Sequence, residues 1–207
     1  MLITEFEAQK ENLTELDLWI SWQCLESMER DQERWLAFYN CGEFSGARST
    51  PLLTFYPPFN RNANLFSQQH KHIQFIPLPS KMEFSPFPDY IVESGNKERD
   101  PSIPFQHFIS SLPSIKNAST LDSIYRRLLS QANPENVSDF SYNFVMTTDW
   151  IFVCPRTKDD FMSEEGHKIA VNSTGMVGLL LTKSPEETTF LEKIGPMTVL
   201  QSVGKAW

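Results

Sequence analysis

No run of about 18 apolar residues occurs in this 207-residue chain, so the sequence predicts no transmembrane helix. Its start, Met1-Leu2-Ile3-Thr4-Glu5, lacks the basic stretch and long apolar core of a secretory signal. Cysteine is scarce. Cys24, Cys41 and Cys154 are odd in number and never spaced CxxC, which predicts reduced thiols with neither a disulfide frame nor a zinc site. Positive charge is also short. Against 26 Asp and Glu there are 18 Lys and Arg, and the net charge of −8 argues against a nucleic-acid polymer or an anionic membrane as partner. It leaves room for one small anionic ligand, because a site is local. Histidine occurs only four times, and no internal repeat is visible.

Apolar residues are plentiful, at 40% with 16 Phe and 5 Trp, enough for a sizeable core in one domain or two small ones sharing it. Thr14 to about Met28 is expected to be a helix, with Thr14 and Asp17 as a capping box and Leu13 and Leu18 as a staple. Leu16, Trp19, Ile20 and Cys24 recur at helical spacing and predict its buried stripe. Trp35 to Tyr39 is expected to be a strand ending in a turn at Asn40-Cys41-Gly42. His70 to Ile76 alternates, with His70, His72 and Gln74 on one face, Lys71, Ile73 and Phe75 on the other, and Pro77 as its end. Residues 77–104 hold six prolines and predict a long surface loop.

Further strands are expected at Phe105 to Ile109, at Tyr142 to Met146 with Trp150 to Val153 as a hairpin, and at Gly178 to Thr182. Helices are expected over Leu121 to Gln131, capped by Thr120 or Ser119, and from Ser184-Pro185-Glu186-Glu187 to Gly195-Pro196, with a short final helix. Strands and helices mix without a βαβ rhythm. The fold class is therefore α+β with a mainly antiparallel sheet.

His70-Lys71-His72 is the first candidate for chemistry. On a strand the i, i+2 spacing aims both rings to one face, where an imidazole can act as nucleophile, base or metal ligand, or simply line a polar face. The loop Asn40-Cys-Gly-Glu-Phe-Ser-Gly46 and the lead-in Ser67-Gln68-Gln69 offer small residues and short donors suited to phosphate oxygens, although such loops are more often ordinary turns. His107 reads as structural and His167 as an exposed loop residue.

Phe38-Tyr-Asn-Cys-Gly-x-x-Ser-Gly-Ala47 followed by Ser67-x-Gln-His-Lys-His-Ile-Gln-Phe-Ile-Pro77 resembles the fungal diadenosine tetraphosphate phosphorylases, or ATP adenylyltransferases. These form the transferase branch of the histidine-triad superfamily, with the motif His-x-His-x-Gln. The resemblance continues through Pro104-Phe-x-His-Phe108, Ser141-Tyr-Asn143, Trp150 to Arg156, Asn172-Ser173, Gly178 to Lys183 and Gly195-Pro196. It implies a histidine-triad-like fold, and cleavage of diadenosine tetraphosphate by inorganic phosphate to ATP and ADP through a nucleotidyl-histidine. His72 carries over as the nucleophile. Asn40, Gly46, Ser67, Gln68, His70, Gln74, Asn172, Ser173, Thr174 and Lys183 carry over as substrate-binding positions, with Thr174 standing where the family has an apolar residue. The implied partners are dinucleoside polyphosphate, ATP, ADP and phosphate. No tightly bound cofactor is implied, and magnesium enters only as a companion of the polyphosphate. The expected place is the cytoplasm, with the nucleus as a second.

Two departures from the family stand out. The chain opens on what resembles an interior strand, so the first strands of the family fold are expected to be missing. Residues 48–66 interrupt the motif and read as an insertion or a translated intron. The expected organisation is 1–80 as the remainder of the family's N-terminal region with the histidine motif, 81–104 as a proline-rich loop, and 105–207 as the adenylyltransferase C-terminal region. The alternative to an active transferase is a catalytically impaired, nucleotide-binding remnant of the same family.

Overall fold

The computed structural model describes residues 7–29, 33–46, 70–95, 100, 102–114 and 116–207. The 48–66 interruption and the expected phosphate-facing Ser67 and Gln68 lie outside the described residues. Five strands form one antiparallel sheet in the order β2-β1-β4-β5-β3. They are β1 Arg34–Cys41, β2 Gln74–Leu78, β3 Phe108–Ser111, β4 Tyr142–Met146 and β5 Trp150–Pro155. A second hairpin pairs β6 Asp160–Met162 with β7 Lys168–Ala170. The helices are α1 Glu15–Met28, α2 Phe87–Glu93, α3 Ala118–Ala132, α4 Ser173–Met176, α5 Pro185–Ile194 and α6 Pro196–Val203.

The alternation of strand residues builds two cores, one on each sheet face. Ala37, Tyr39, Phe144, Ile151 and Val153 pack under α1 and α3 through Leu18, Leu25, Tyr125 and Leu128. Leu36, Phe38, Val145, Phe152 and Cys154 pack on the other face against Ile91 of α2, Met176 of α4 and Val199 and Val203 of α6. The arrangement is the expected α+β class with a mainly antiparallel sheet. Among the described residues no helix is long and apolar enough to cross a membrane.

Local signals place several elements where expected. Thr14 and Asp17 form a reciprocal capping box at α1, and Ser184 caps α5 ahead of Pro185. Elsewhere the structure corrects the sequence reading. The buried stripe of α1 is Leu18, Ser21 and Leu25, whereas Leu16 is 63% exposed and Ile20 also faces outward. The helix is apolar on most of its circumference, so spacing alone did not choose a side. The cap of α3 is Asn117, to whose side chain the hydroxyls of Ser119 and Thr120 donate.

The supposed proline-rich loop contains α2, because Pro86 and Pro88 sit at its first turn, where a missing N–H is harmless. β2 runs through Pro77 rather than ending at it. Among the described residues it pairs only with β1, and at such an edge an absent donor is tolerated. β3 begins three residues later than expected. No strand forms at Gly178 to Thr182. Gly178 has φ +105°, and the Leu179 N–H turns back to the Thr174 carbonyl at 2.9 Å.

Candidate functional site

The histidine motif enters the sheet at its edge. His70 forms an isolated bridge with Ala8, the Lys71 N–H donates to the Glu7 carbonyl at 2.7 Å, and β2 then pairs with β1 from Gln74 opposite Phe38. Ile73 and Phe75 face the α1–α3 core and Ile76 the opposite core. Gln74 lies opposite Phe38 and so shares the face of Ile76, as the alternation predicted. Lys71, on the other side, is nearly buried between Asp17 and Glu7. Burial works to lower its pKa, but hydrogen bonds to those two carboxylates prevail and raise it.

His72 is held at both ring nitrogens. Nδ1 lies 3.1 Å from the His70 carbonyl, which can only accept, so Nδ1 carries the proton. Nε2 therefore holds the lone pair, 3.2 Å from Nε2 of Gln74, whose amide N–H donates to it. Burial lowers the His72 pKa below the ordinary imidazole value, and the neighbouring His70 ring acts in the same direction, against the bond to the His70 carbonyl. The two rings stand 5.8 Å apart. The ring is thus a neutral imidazole with one fixed proton and one basic nitrogen, the form a nucleophile requires.

A residue unremarked in the sequence ties this strand to β1. Gln9 accepts the His72 N–H at Oε1, 3.2 Å away, and donates from Nε2 to the Asn40 carbonyl at 2.6 Å. Its own carbonyl accepts the Tyr39 hydroxyl at 2.7 Å.

At this end of the sheet the α2 face changes from apolar to polar. Asn40 stands opposite Asn143, and Asn143 opposite Cys154. Asn40 Oδ1 accepts from Asn143 Nδ2 at 2.9 Å and from the Ser173 backbone N–H at 2.9 Å, with the Ser173 hydroxyl 2.7 Å away. Asn143 also donates to the Ser45 carbonyl at 2.7 Å, and Arg156 donates to its Oδ1. Gly46 brings two loops together. At φ +81° it packs so closely that a Cβ there would lie 2.1 Å from the Val171 carbonyl oxygen and 3.0 Å from the Asn172 Cα.

The side chains of Asn172 and Thr174 are taken up within this turn. Asn172 caps α4 by accepting from the Thr174 and Gly175 N–H groups, and the Thr174 hydroxyl donates to it at 2.7 Å. Ser173 and Thr174 are buried.

The structure therefore brings His70, His72, Gln74, Asn40, Gly46 and Asn172 to Thr174 into one neighbourhood at one end of the sheet. Lys183 is not among them. It is exposed in the turn into α5, its backbone N–H donating to Glu187, and no described contact joins it to His72. His107 is structural, as read: Nδ1 donates to the Phe105 carbonyl and Nε2 accepts the Asp100 N–H. His167 is exposed and stacks on Phe190. Gln9, Asn143 and Arg156 went unassigned in the sequence. Asn143 and Arg156 fall within segments of the family resemblance, and Arg156 is also a lone charge closing the apolar run Trp150 to Pro155, but neither was given a role.

Known proteins share this fold and much of this sequence. Residues 101–206, half of the chain, match the model of the ATP adenylyltransferase C-terminal domain. A diadenosine tetraphosphate phosphorylase of Saccharomyces cerevisiae is 30% identical over 90% of this chain, and the chain spans 58% of that relative's length. The crystal structure of the yeast Ap4A phosphorylase Apa2 superposes with a TM-score of 0.80 at 27% identity, covering 98% of this chain and 68% of that one. The same phosphorylase in complex with Ap4A gives a TM-score of 0.77 at 28% identity, covering 97% of this chain and 67% of that one. The chain belongs to the diadenosine tetraphosphate phosphorylase, or ATP adenylyltransferase, family and shares its histidine-triad-like fold.

Proposed function

We propose that this chain carries the nucleotidyl-transfer centre of a dinucleoside polyphosphate phosphorylase, with His72 as the nucleophile. The observation that supports this reading best is the ring's hydrogen bonding: Nδ1–H is committed to the His70 carbonyl, and the Nε2 lone pair is left to a displaceable amide. Nε2 attacks the α-phosphorus of diadenosine tetraphosphate, forming a P–N bond as the bridging P–O bond breaks, and ATP leaves. An oxygen of inorganic phosphate then attacks the same phosphorus, the P–N bond breaks, ADP forms, and His72 returns to its neutral state.

ATP leaves through a weakly basic phosphate oxygen, so little proton donation is needed. An amide at position 74 suffices where a hydrolase uses an imidazole. His70, Gln74 and Asn40 orient the phosphates in this reading, and Gly46 with Asn172 to Thr174 shapes the adjoining wall. Ser67, Gln68 and Lys183 are proposed substrate contacts on the resemblance alone. Magnesium is proposed only as a companion of the polyphosphate substrate.

The test is phosphate-dependent release of ATP and ADP from diadenosine tetraphosphate, with trapping of an acid-labile adenylyl-protein. His72→Asn should abolish the adduct, because an amide nitrogen is not nucleophilic. Near-normal turnover by His72→Asn would remove the mechanism. Nucleotide binding without turnover in the unaltered chain would favour the impaired, nucleotide-binding reading.

A further inference from the structure

Arg156 is buried at 5% exposure, and its described bonds go to neutral oxygens: the carbonyls of Val203 at 3.2 Å, Lys158 at 2.7 Å, Val171 at 3.0 Å and Ser45 at 3.4 Å, and Asn143 Oδ1. Burial pushes its pKa down to about 10, which still leaves it charged at neutral pH. A guanidinium has donors only, so the Asn143 atom facing it must be the oxygen. The Asn143 amide nitrogen then points the other way, and its two N–H bonds go to the Ser45 carbonyl and Asn40 Oδ1. The Ser173 backbone N–H, which also can only donate, meets the same oxygen of Asn40.

Two donors of independent origin thus fix the Asn40 side chain in one orientation. Its Nδ2 is the remainder. It is buried, Asn40 is 1% exposed, and the nitrogen has no hydrogen-bond partner among the described residues. A buried donor left unmet costs its full desolvation, which a ligand oxygen at this position would offset. Asn40 lies two hydrogen bonds from the His72 backbone, through Gln9.

We propose that Asn143, oriented by Arg156, is a positioning residue that presets the Asn40 amide as an N–H donor to a nucleotide phosphate oxygen. The proposal rests on the nucleotide-site reading above and assigns a role to two residues that do not themselves reach the ligand.

Asn143→Asp tests it. The carboxylate keeps the side chain's shape and gives Arg156 an ion pair, but it has no N–H for Asn40. Asn40 Oδ1 then meets a carboxylate oxygen on one side and the Ser173 N–H on the other, so the amide loses its single preset orientation and no longer holds its N–H toward the ligand. The expected result is a folded protein whose unfolding midpoint is lowered by the loss of the Asn143 bond to the Ser45 carbonyl, with AMP affinity by calorimetry reduced tenfold or more. In the ligand-free protein, the Asn40 side-chain amide resonances, assigned by their loss in Asn40→Asp, should shift on Asn143→Asp. A folded Asn143→Asp that binds AMP undiminished overturns the proposal, as do resonances that stay in place.

Should Asn143→Asp not fold, Asn40→Asp serves instead. It keeps an acceptor for all three inward donors and replaces the unmet N–H with a carboxylate oxygen, which also repels a phosphate. Retained AMP binding there also overturns the proposal, and a tenfold loss in a folded protein supports it. If the unaltered protein fails to bind AMP, the nucleotide-site reading falls, while the resonance shift still decides whether Asn143 orients Asn40.

Discussion

Replacing Gly46 with alanine separates two effects that one glycine combines. The first is backbone strain. Gly46 has φ +81°, and a side chain in the left-handed region costs about 1–2 kcal/mol. The second is a collision. The new Cβ would lie 2.1 Å from the Val171 carbonyl oxygen, which is also an acceptor for Arg156 Nη2 at 3.0 Å and so cannot simply turn away. Overpacking of this kind adds roughly 1–3 kcal/mol, which brings Gly46→Ala to about 2–5 kcal/mol.

Gly166 is the internal control. Its φ is +86°, but nothing lies within 4 Å of a Cβ built there, so Gly166→Ala should show the strain alone. With a urea slope of about 2–3 kcal/mol per molar, Gly46→Ala should lower the unfolding midpoint by roughly 0.7–2.5 M and Gly166→Ala by roughly 0.3–1 M, so Gly46→Ala should lose about twice as much. Gly46→Ala should also weaken AMP binding, because displacing Val171 moves Ser173 away from Asn40. Equal midpoint losses for the two variants would show that the close approach of these loops carries no energy.

Two further outcomes follow from particular contacts. The folded-state pKa of His72 is lowered, so the unfolded chain binds more protons below about pH 6.5. Stability from this group is full above that value and is lost as pH falls through the lowered value, so urea midpoints should drop less on acidification in His72→Asn than in the unaltered protein; identical pH profiles would refute this. Asp89 accepts from Arg34 Nη2 at 2.5 Å and from Trp150 Nε1 at 2.8 Å, joining α2 to the sheet. Asp89→Ala leaves a buried indole N–H unmet and an arginine unpaired and should cost about 2–4 kcal/mol in urea unfolding, discounted because the Arg34 side chain is 20% exposed; a loss below about 1 kcal/mol would refute the bridge.

What the sequence revealed was what neighbouring residues decide among themselves. Thr14 and Asp17 satisfy each other three positions apart, and Ser184-Pro185 starts a helix without help from the rest of the chain. The alternation of His70, His72 and Gln74 is equally local, but it left the role of the rings open, and the site was read from the resemblance; of the three only Gln74 lies within β2. α2 was hidden because Pro86 and Pro88 discourage a helix at every position except its first turn. The supposed strand after Gly178 was apolar enough, but among the described residues no strand pairs with it. Gln9, Asn143 and Arg156 acquire their roles only through partners far along the chain. Asn143 meets Asn40 across 103 positions, and Gln9 meets His72 across 63. No periodicity carries such information.

The location of the polar residues adds a physical argument for the site. Along β1, β4 and β5, the face toward α2 carries Leu36 and Phe38, Val145, and Phe152 and Cys154, all buried. One step further along the same rows stand Asn40 and Asn143, and Arg156 follows as β5 ends; all three are still buried. Burying two amides and a guanidinium where a continued apolar face was sterically available costs desolvation that hydrogen bonds only partly return. Folding alone gives no reason for it, since the two cores are already complete toward the other end of the sheet. The departure lies two hydrogen bonds from His72, through Gln9, and sequences tend to break their own patterning rules at functional sites. The same network also closes the turn at Gly46 against Val171 and orients the unmet Asn40 donor. A single buried arrangement thus holds the loops together and sets the polarity of the wall next to the proposed nucleophile, so changes there should affect stability and nucleotide binding by separable amounts.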